Sequence, residues 1–144
     1  MAVLGFVTFL QADWADYQPV SFTRALASGT VSAGSSSLVA MPQNYKFRVK
    51  AAYSGKPRKI APKRLELIAQ WGETLQQENF TRHFLDEIEV RGEGRTVWLP
   101  IQDVLVDDLQ KEVNIGAPMD LYIMYIGAVQ EDRIFLVNDF ETGK

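Results

Sequence analysis

The sequence predicts a single α+β domain, with a mostly antiparallel, curved sheet bending toward a small barrel and two helices. Three observations carry this reading. The chain has 144 residues, 47% hydrophobic and 23% charged, which is the size and composition of one globular unit able to bury most of its unfolded surface. Segments of period-two and of three-to-four spacing follow one another as strand, helix, two strands, helix, two strands, which is not the regular alternation of a doubly wound parallel fold. The paired strands are separated by short turns of the kind antiparallel neighbours use. No repeat or heptad array is visible, so solenoids, propellers and coiled coils are set aside.

The first twelve residues, MAVLGFVTFLQA, are apolar but fall short of the roughly 20 that a membrane-spanning helix needs. Val3, Phe6, Val7, Thr8 and Phe9 favour extended structure, so a buried first strand in a cytoplasmic protein is expected. A secretory leader ending near Ala12 is the alternative, against which stands the lack of a positively charged start. Residues 13–27 mix aromatics with helix and turn formers and receive no assignment. Residues 28–37, SGTVSAGSSS, have the composition of a flexible loop.

From Tyr45 the pattern sharpens. Tyr45, Phe47, Val49, Ala51 and Tyr53 alternate with Lys46, Arg48, Lys50 and Ala52, the period of a strand with one apolar and one cationic face. Ser54-Gly55-Lys56-Pro57 reads as a turn, because Gly permits positive φ and Pro lacks a donor. Pro62 suits a first helical turn, and Leu65, Ile68, Gly72 and Leu75 follow on one face, giving a helix over 62–77. A hairpin is expected over 86–99 with its turn at Gly92-Glu93-Gly94, and Pro100 is expected to end it. Ile101, Val104, Leu105, Leu109 and Val113 repeat the helical spacing, with Asn114 and Gly116 as the stop. DLYIMYIGAV and RIFLVNDF then form two long apolar strands, read as an antiparallel pair at the centre of the sheet.

The chemistry in the sequence is mostly exclusion. Without cysteine there are no disulfides, thiolate metal sites or thiol nucleophiles. His83 is the sole histidine, so a multi-histidine metal site is impossible, and its place near the end of the first helix suits a cation facing the dipole. Phosphate-cradling and nucleophile-elbow glycine motifs are absent. The carboxylate pairs Asp86/Glu87, Asp107/Asp108 and Glu131/Asp132 lack the spacing of a calcium loop and read as solvated faces and turns. No cofactor or metal is expected. Trp71 and Trp98 are expected in the core, Trp14 at the surface.

One feature is positive. Eight of the fifteen basic residues, Lys46, Arg48, Lys50, Lys56, Arg58, Lys59, Lys63 and Arg64, fall in one stretch without an acidic residue, while the chain after Lys111 is acid-dominated. Cations at a helix N-terminus oppose its dipole at a small cost each, so the stretch is either solvated structural charge or is compensated by a partner outside the helix. That partner is an external anion, a second protein, or the acidic half of the same chain. The expected function is a non-catalytic binding or assembly module that engages a protein partner, or a second copy, through residues 46–64. The alternative is a small barrel-like domain binding nucleic acid or another polyanion through the same surface. An enzyme working through scattered carboxylates ranks third.

Overall fold

The computed structural model describes residues 14–28, 37–39, 46–130 and 132–142. The expected first strand and most of the 28–37 loop lie outside these residues. Seven strands are described: β1 (Gln18–Pro19), β2 (Ser37–Val39), β3 (Lys46–Lys59), β4 (Asp86–Gly92), β5 (Arg95–Ile101), β6 (Pro118–Val129) and β7 (Asp132–Thr142). Three α-helices accompany them: α1 (Phe22–Leu26), α2 (Pro62–Thr74) and α3 (Asp103–Glu112). The fold is α+β, and five strands close into a barrel in the order β3-β4-β5-β7-β6 and back to β3.

β3 makes closure possible. Its first half pairs antiparallel with β6, from Lys46↔Met124 to Ala52↔Pro118, and its second half pairs with β4, from Ala52↔Arg91 to Lys59↔Asp86. The change of partner falls where the ladder is irregular, between Tyr53 and Pro57, and Gly55 there has φ +89°. The segment expected to be a turn therefore bends a continuous strand. A left-handed Gly and a Pro without N–H interrupt the ladder but do not reverse the chain. A side chain at Gly55 would also lie 2.7 Å from Ile115 Cδ1, where Gly116 N–H donates to Tyr53 O at 3.0 Å.

The sheet is mixed, not wholly antiparallel, since β1 runs parallel to β3 and β5 runs parallel to β7. Pro100 lies inside β5, opposite Glu87, and the strand continues to Ile101. The barrel interior holds the inward residues Phe47, Val49, Ile88, Val90, Leu99, Leu121, Ile123 and Phe135. α1, a third helix absent from the expected set, lies by the β4–β5 turn: Thr23 N–H donates to Glu93 at 2.8 Å, and Phe22 fills the space a Cβ on Gly92 would need. α3 begins at the other end of β5 and adds Leu105 and Leu109 to the same core.

A second core lies outside the barrel wall. Leu67, Ile68 and Trp71 of α2 cover the outer residues Met124 and Ile126 of β6 and Ile134 and Leu136 of β7. Those strands are buried on both faces, which is why they read as unbroken apolar runs. Gly72 lets Phe80 settle against α2, since a Cβ there would stand 2.4 Å from Phe80 Cβ. No helix among the described residues is long and apolar enough to cross a membrane.

Candidate functional site

The eight basic residues divide into two groups with different neighbours. On the first half of β3, Arg48 meets Asp120 of β6 at 2.6 Å and Lys50 meets the same carboxylate at 2.8 Å. Partial burial pushes the Asp120 carboxyl up, but the hydrogen bonds and charges of Lys50 and Arg48 hold it below the usual carboxylate value. Arg48 also lies 5.6 Å over the Tyr122 ring, whose hydroxyl donates to Glu141 at 2.7 Å and is pushed up to about 12 by burial and that carboxylate. Lys46 sits 6.0 Å over the Tyr17 ring.

The second group faces β4. Lys56 reaches Glu89 at 3.9 Å, Arg58 reaches Glu87 at 2.6 Å and Lys59 reaches Asp86 at 3.2 Å. The last two are directly opposed cross-strand neighbours, the geometry in which opposite charges stabilise a sheet. Lys63, on the first turn of α2, is exposed and has no ion pair among the described residues. Arg48, Lys50, Lys56, Arg58, Lys59 and Arg64 are thus matched by carboxylates of the same chain. Only part of that acidity comes from the C-terminal half, because β4 supplies Asp86, Glu87 and Glu89.

Arg64 organises the second group. Its Nε donates to Glu87 Oε1 at 3.0 Å, Nη1 to Asp132 Oδ2 at 2.6 Å and Nη2 to the Trp98 carbonyl at 3.1 Å. Glu87 is fully buried and the Arg64 side chain is 10% exposed. One guanidinium therefore joins α2, β4, β5 and the start of β7. Trp98, expected in the core, instead points outward from β5 and is half-buried, with the Arg58 guanidinium 3.9 Å from its ring centroid. Arg58 is anchored there by Glu87, so the cation–π contact is held by a charge-assisted bond.

Beside this cluster the barrel wall is incomplete. β5 and β7 are in register at one pair, Ile101↔Val137. Toward the starts of both strands a cavity of about 240 Å³ opens between them, with Leu26, Leu99 and Phe135 below and Arg58, Arg64, Thr96, Trp98, Asp132 and Arg133 around its mouth. No family model, curated protein or solved structure matches the chain. The seam must therefore be read from its own chemistry: an apolar floor, a stacked Trp and Arg, and ion pairs that leave the mouth nearly balanced in charge.

The remaining titratable groups are dispersed. His83 lies in a 3-10 turn, Phe80–His83, with its ring 6.4 Å from Phe80. No group of three His, Asp or Glu among the described residues is placed to hold a metal ion. Asp139 is 3% exposed; burial pushes its carboxyl up to about 6 despite the Phe140 N–H it accepts, with Glu141 and Glu112 adding to the rise. Asn138 beside it donates to the buried Tyr17 hydroxyl at 2.8 Å.

Proposed function

We propose that this protein is a non-catalytic binding module that engages a protein partner through the outer face of β4 and β5, the second half of β3 and the adjoining seam. The observation that carries this reading is the Arg58–Trp98 stack at the mouth of an apolar-floored cavity. Trp and Arg are the residues over-represented at the energetic centres of protein interfaces, and a floor of Leu and Phe with a paired polar rim is the usual anatomy of such a contact. A partner of mixed charge is favoured over a polyanion. Nucleic-acid binding draws on cations free to replace counterions, and six of the eight basic side chains already have carboxylate partners.

The test uses the full chain as bait in extracts of its native host, with Trp98→Ser and Arg58→Glu as comparison baits. A partner retained at moderate salt by the unaltered chain and by Lys50→Ala, but lost by the two seam variants, supports the reading; equal capture by all four refutes it. The polyanion reading has one observation in its favour, because partly open five-stranded barrels carry oligonucleotides on their second and third strands and adjoining loops. It requires steeply salt-dependent binding to heparin or single-stranded DNA.

A further inference from the structure

On the reading of a protein-binding module, we propose that the terminal fork of Arg58, its Nη1 and Nη2, receives the carboxylate of an acidic side chain of the partner, whose apolar neighbour enters the cavity beside Trp98. The arginines of the basic stretch differ in how their end groups are used. Arg48 gives Nε and Nη2 to Asp120, and Arg64 gives Nη1 to Asp132 and Nη2 to the Trp98 carbonyl. Arg58 gives only Nε, to Glu87 Oε2 at 2.6 Å. Neither of its Nη groups donates to a described residue, and its side chain is 49% exposed. A guanidinium whose Nε side is occupied still offers Nη1 and Nη2 end-on, a planar pair that matches the two oxygens of a carboxylate.

The fork is open to solvent yet fixed in place. Glu87, fully buried, holds Nε, and the guanidinium lies 3.9 Å from the centroid of the Trp98 ring. Ordering a long side chain is one of the costs of association, so an arginine already held in the unbound protein binds at a lower cost. Charge decides the sign of the occupant. Arg58, Arg64 and Arg133 line the mouth against Asp132, and Glu87 beneath is shared by Arg58 and Arg64. One further carboxylate brings these side chains to balance, the complementarity that selects partners across an interface. The floor of Leu26, Leu99 and Phe135 is buried and apolar, and the cavity, at about 240 Å³, is smaller than the roughly 300–1,000 Å³ of small-molecule sites. An isolated oxyanion would satisfy the fork and leave that floor uncovered. A protein presents carboxylates chiefly as Asp and Glu, and an acidic residue beside an apolar one meets fork and floor together.

The test titrates the isotope-labelled full chain with acetyl-Leu-Glu-Leu-amide, with its Gln counterpart and with inorganic phosphate at matched ionic strength, reading the Arg58 Nε and Trp98 indole N–H resonances. The Glu peptide should shift both resonances saturably, and the Gln peptide should bind at least about ten-fold more weakly, the loss of one charge-assisted contact. Arg58→Lys keeps the charge but not the fork and should weaken the Glu peptide about five-fold or more. Lys50→Ala, on the other half of β3, should bind as the unaltered chain does. Equal binding of the Glu and Gln peptides, no saturable shift up to about 20 mM peptide, full affinity in Arg58→Lys, or phosphate binding as tightly as the Glu peptide would each overturn the proposal. The peptides are compared on the unaltered chain, so that result stands if Arg58→Lys fails to fold. A host partner lost by Trp98→Ser and Arg58→Glu but retained in full by Arg58→Lys overturns the carboxylate contact alone, whereas a partner captured equally by every bait overturns the binding-module reading.

Discussion

Replacing Glu87 by Gln is the sharpest probe of the polar cluster outside the barrel. Glu87 is fully buried and accepts from Arg58 Nε at 2.6 Å and Arg64 Nε at 3.0 Å. The substitution keeps the shape and one acceptor, but it sets an amide N–H₂ against a guanidinium. It also leaves Arg64, 10% exposed, with one carboxylate, Asp132, which is itself 64% exposed. Removing one partner of a buried ion pair costs about 3–5 kcal/mol, whereas an exposed pair contributes about 0–1 kcal/mol. The adjacent cross-strand pair supplies the control, since Lys59 is 81% exposed and Lys59→Ala should cost little. A domain of this size has about 5–15 kcal/mol in all, so Glu87→Gln should remove roughly a fifth or more of it and lower Tm by about 10–20 °C at roughly 4 °C per kcal/mol. Urea unfolding followed by tryptophan fluorescence, with the slope shared between variants, reads the difference. A loss within 1 kcal/mol of zero, or one equal to that of Lys59→Ala, refutes the claim that this carboxylate is the buried keystone of the cluster.

Three further outcomes are expected. Gly72→Ala should destabilise by about 1–3 kcal/mol in urea unfolding although Ala is the better helix former, because the added methyl would meet Phe80 Cβ at 2.4 Å; a stabilised variant would show that α2 shifts freely over β6 and β7. Asp139, whose carboxyl sits at about 6 against an unfolded value near 3.9, holds its proton more tightly in the folded state between those pH values, so stability is lost as pH rises through that window. Asp139→Asn does not titrate and should therefore gain on the unaltered chain by about 3 kcal/mol between pH 4 and pH 7.5; a pH-independent difference in urea unfolding is the contrary result. Trp98→Ser should change stability by about 1 kcal/mol or less beyond its lost stack, and a larger fall in Tm would mark Trp98 as structural.

How much of this was legible depended on whether the cause was local. The alternation from Phe47 to Tyr53, the helix beginning at Pro62, the hairpin around Gly92-Glu93-Gly94 and the final pair of apolar strands all follow from spacing and turn chemistry, and all are present. What the residues did not disclose depends on partners distant in sequence. Gly55 and Pro57 look like a turn until β6 and β4 hold the two halves of β3 as one bent strand. The five residues of α1 make too short a period to detect, and their apolar side chains have a purpose only at the end of a closed barrel. Trp98 looks like core by its residue type, and only the pairing of β5 with β4 sets its parity outward, beside Glu89. The basic run is plain in the sequence, but the adjacent carboxylates Asp86 and Glu87 read as a solvated face or turn until the antiparallel register sets them opposite Lys59 and Arg58.

Arg64 shows why that charge is organised inward. A guanidinium in the first turn of α2 opposes the helix dipole, and its burial would be prohibitive without ionic partners. Both penalties are offset by groups that come together only when the barrel is assembled: Glu87 from β4, Asp132 from β7 and a carbonyl of β5. Apolar residues of equal size could match or exceed such a cluster in stability, but they could not bond the Trp98 carbonyl where β7 fails to reach it. The arginine completes the wall by side chain where the described backbone pairing of β5 with β7 stops, joining the Trp98 carbonyl to Asp132.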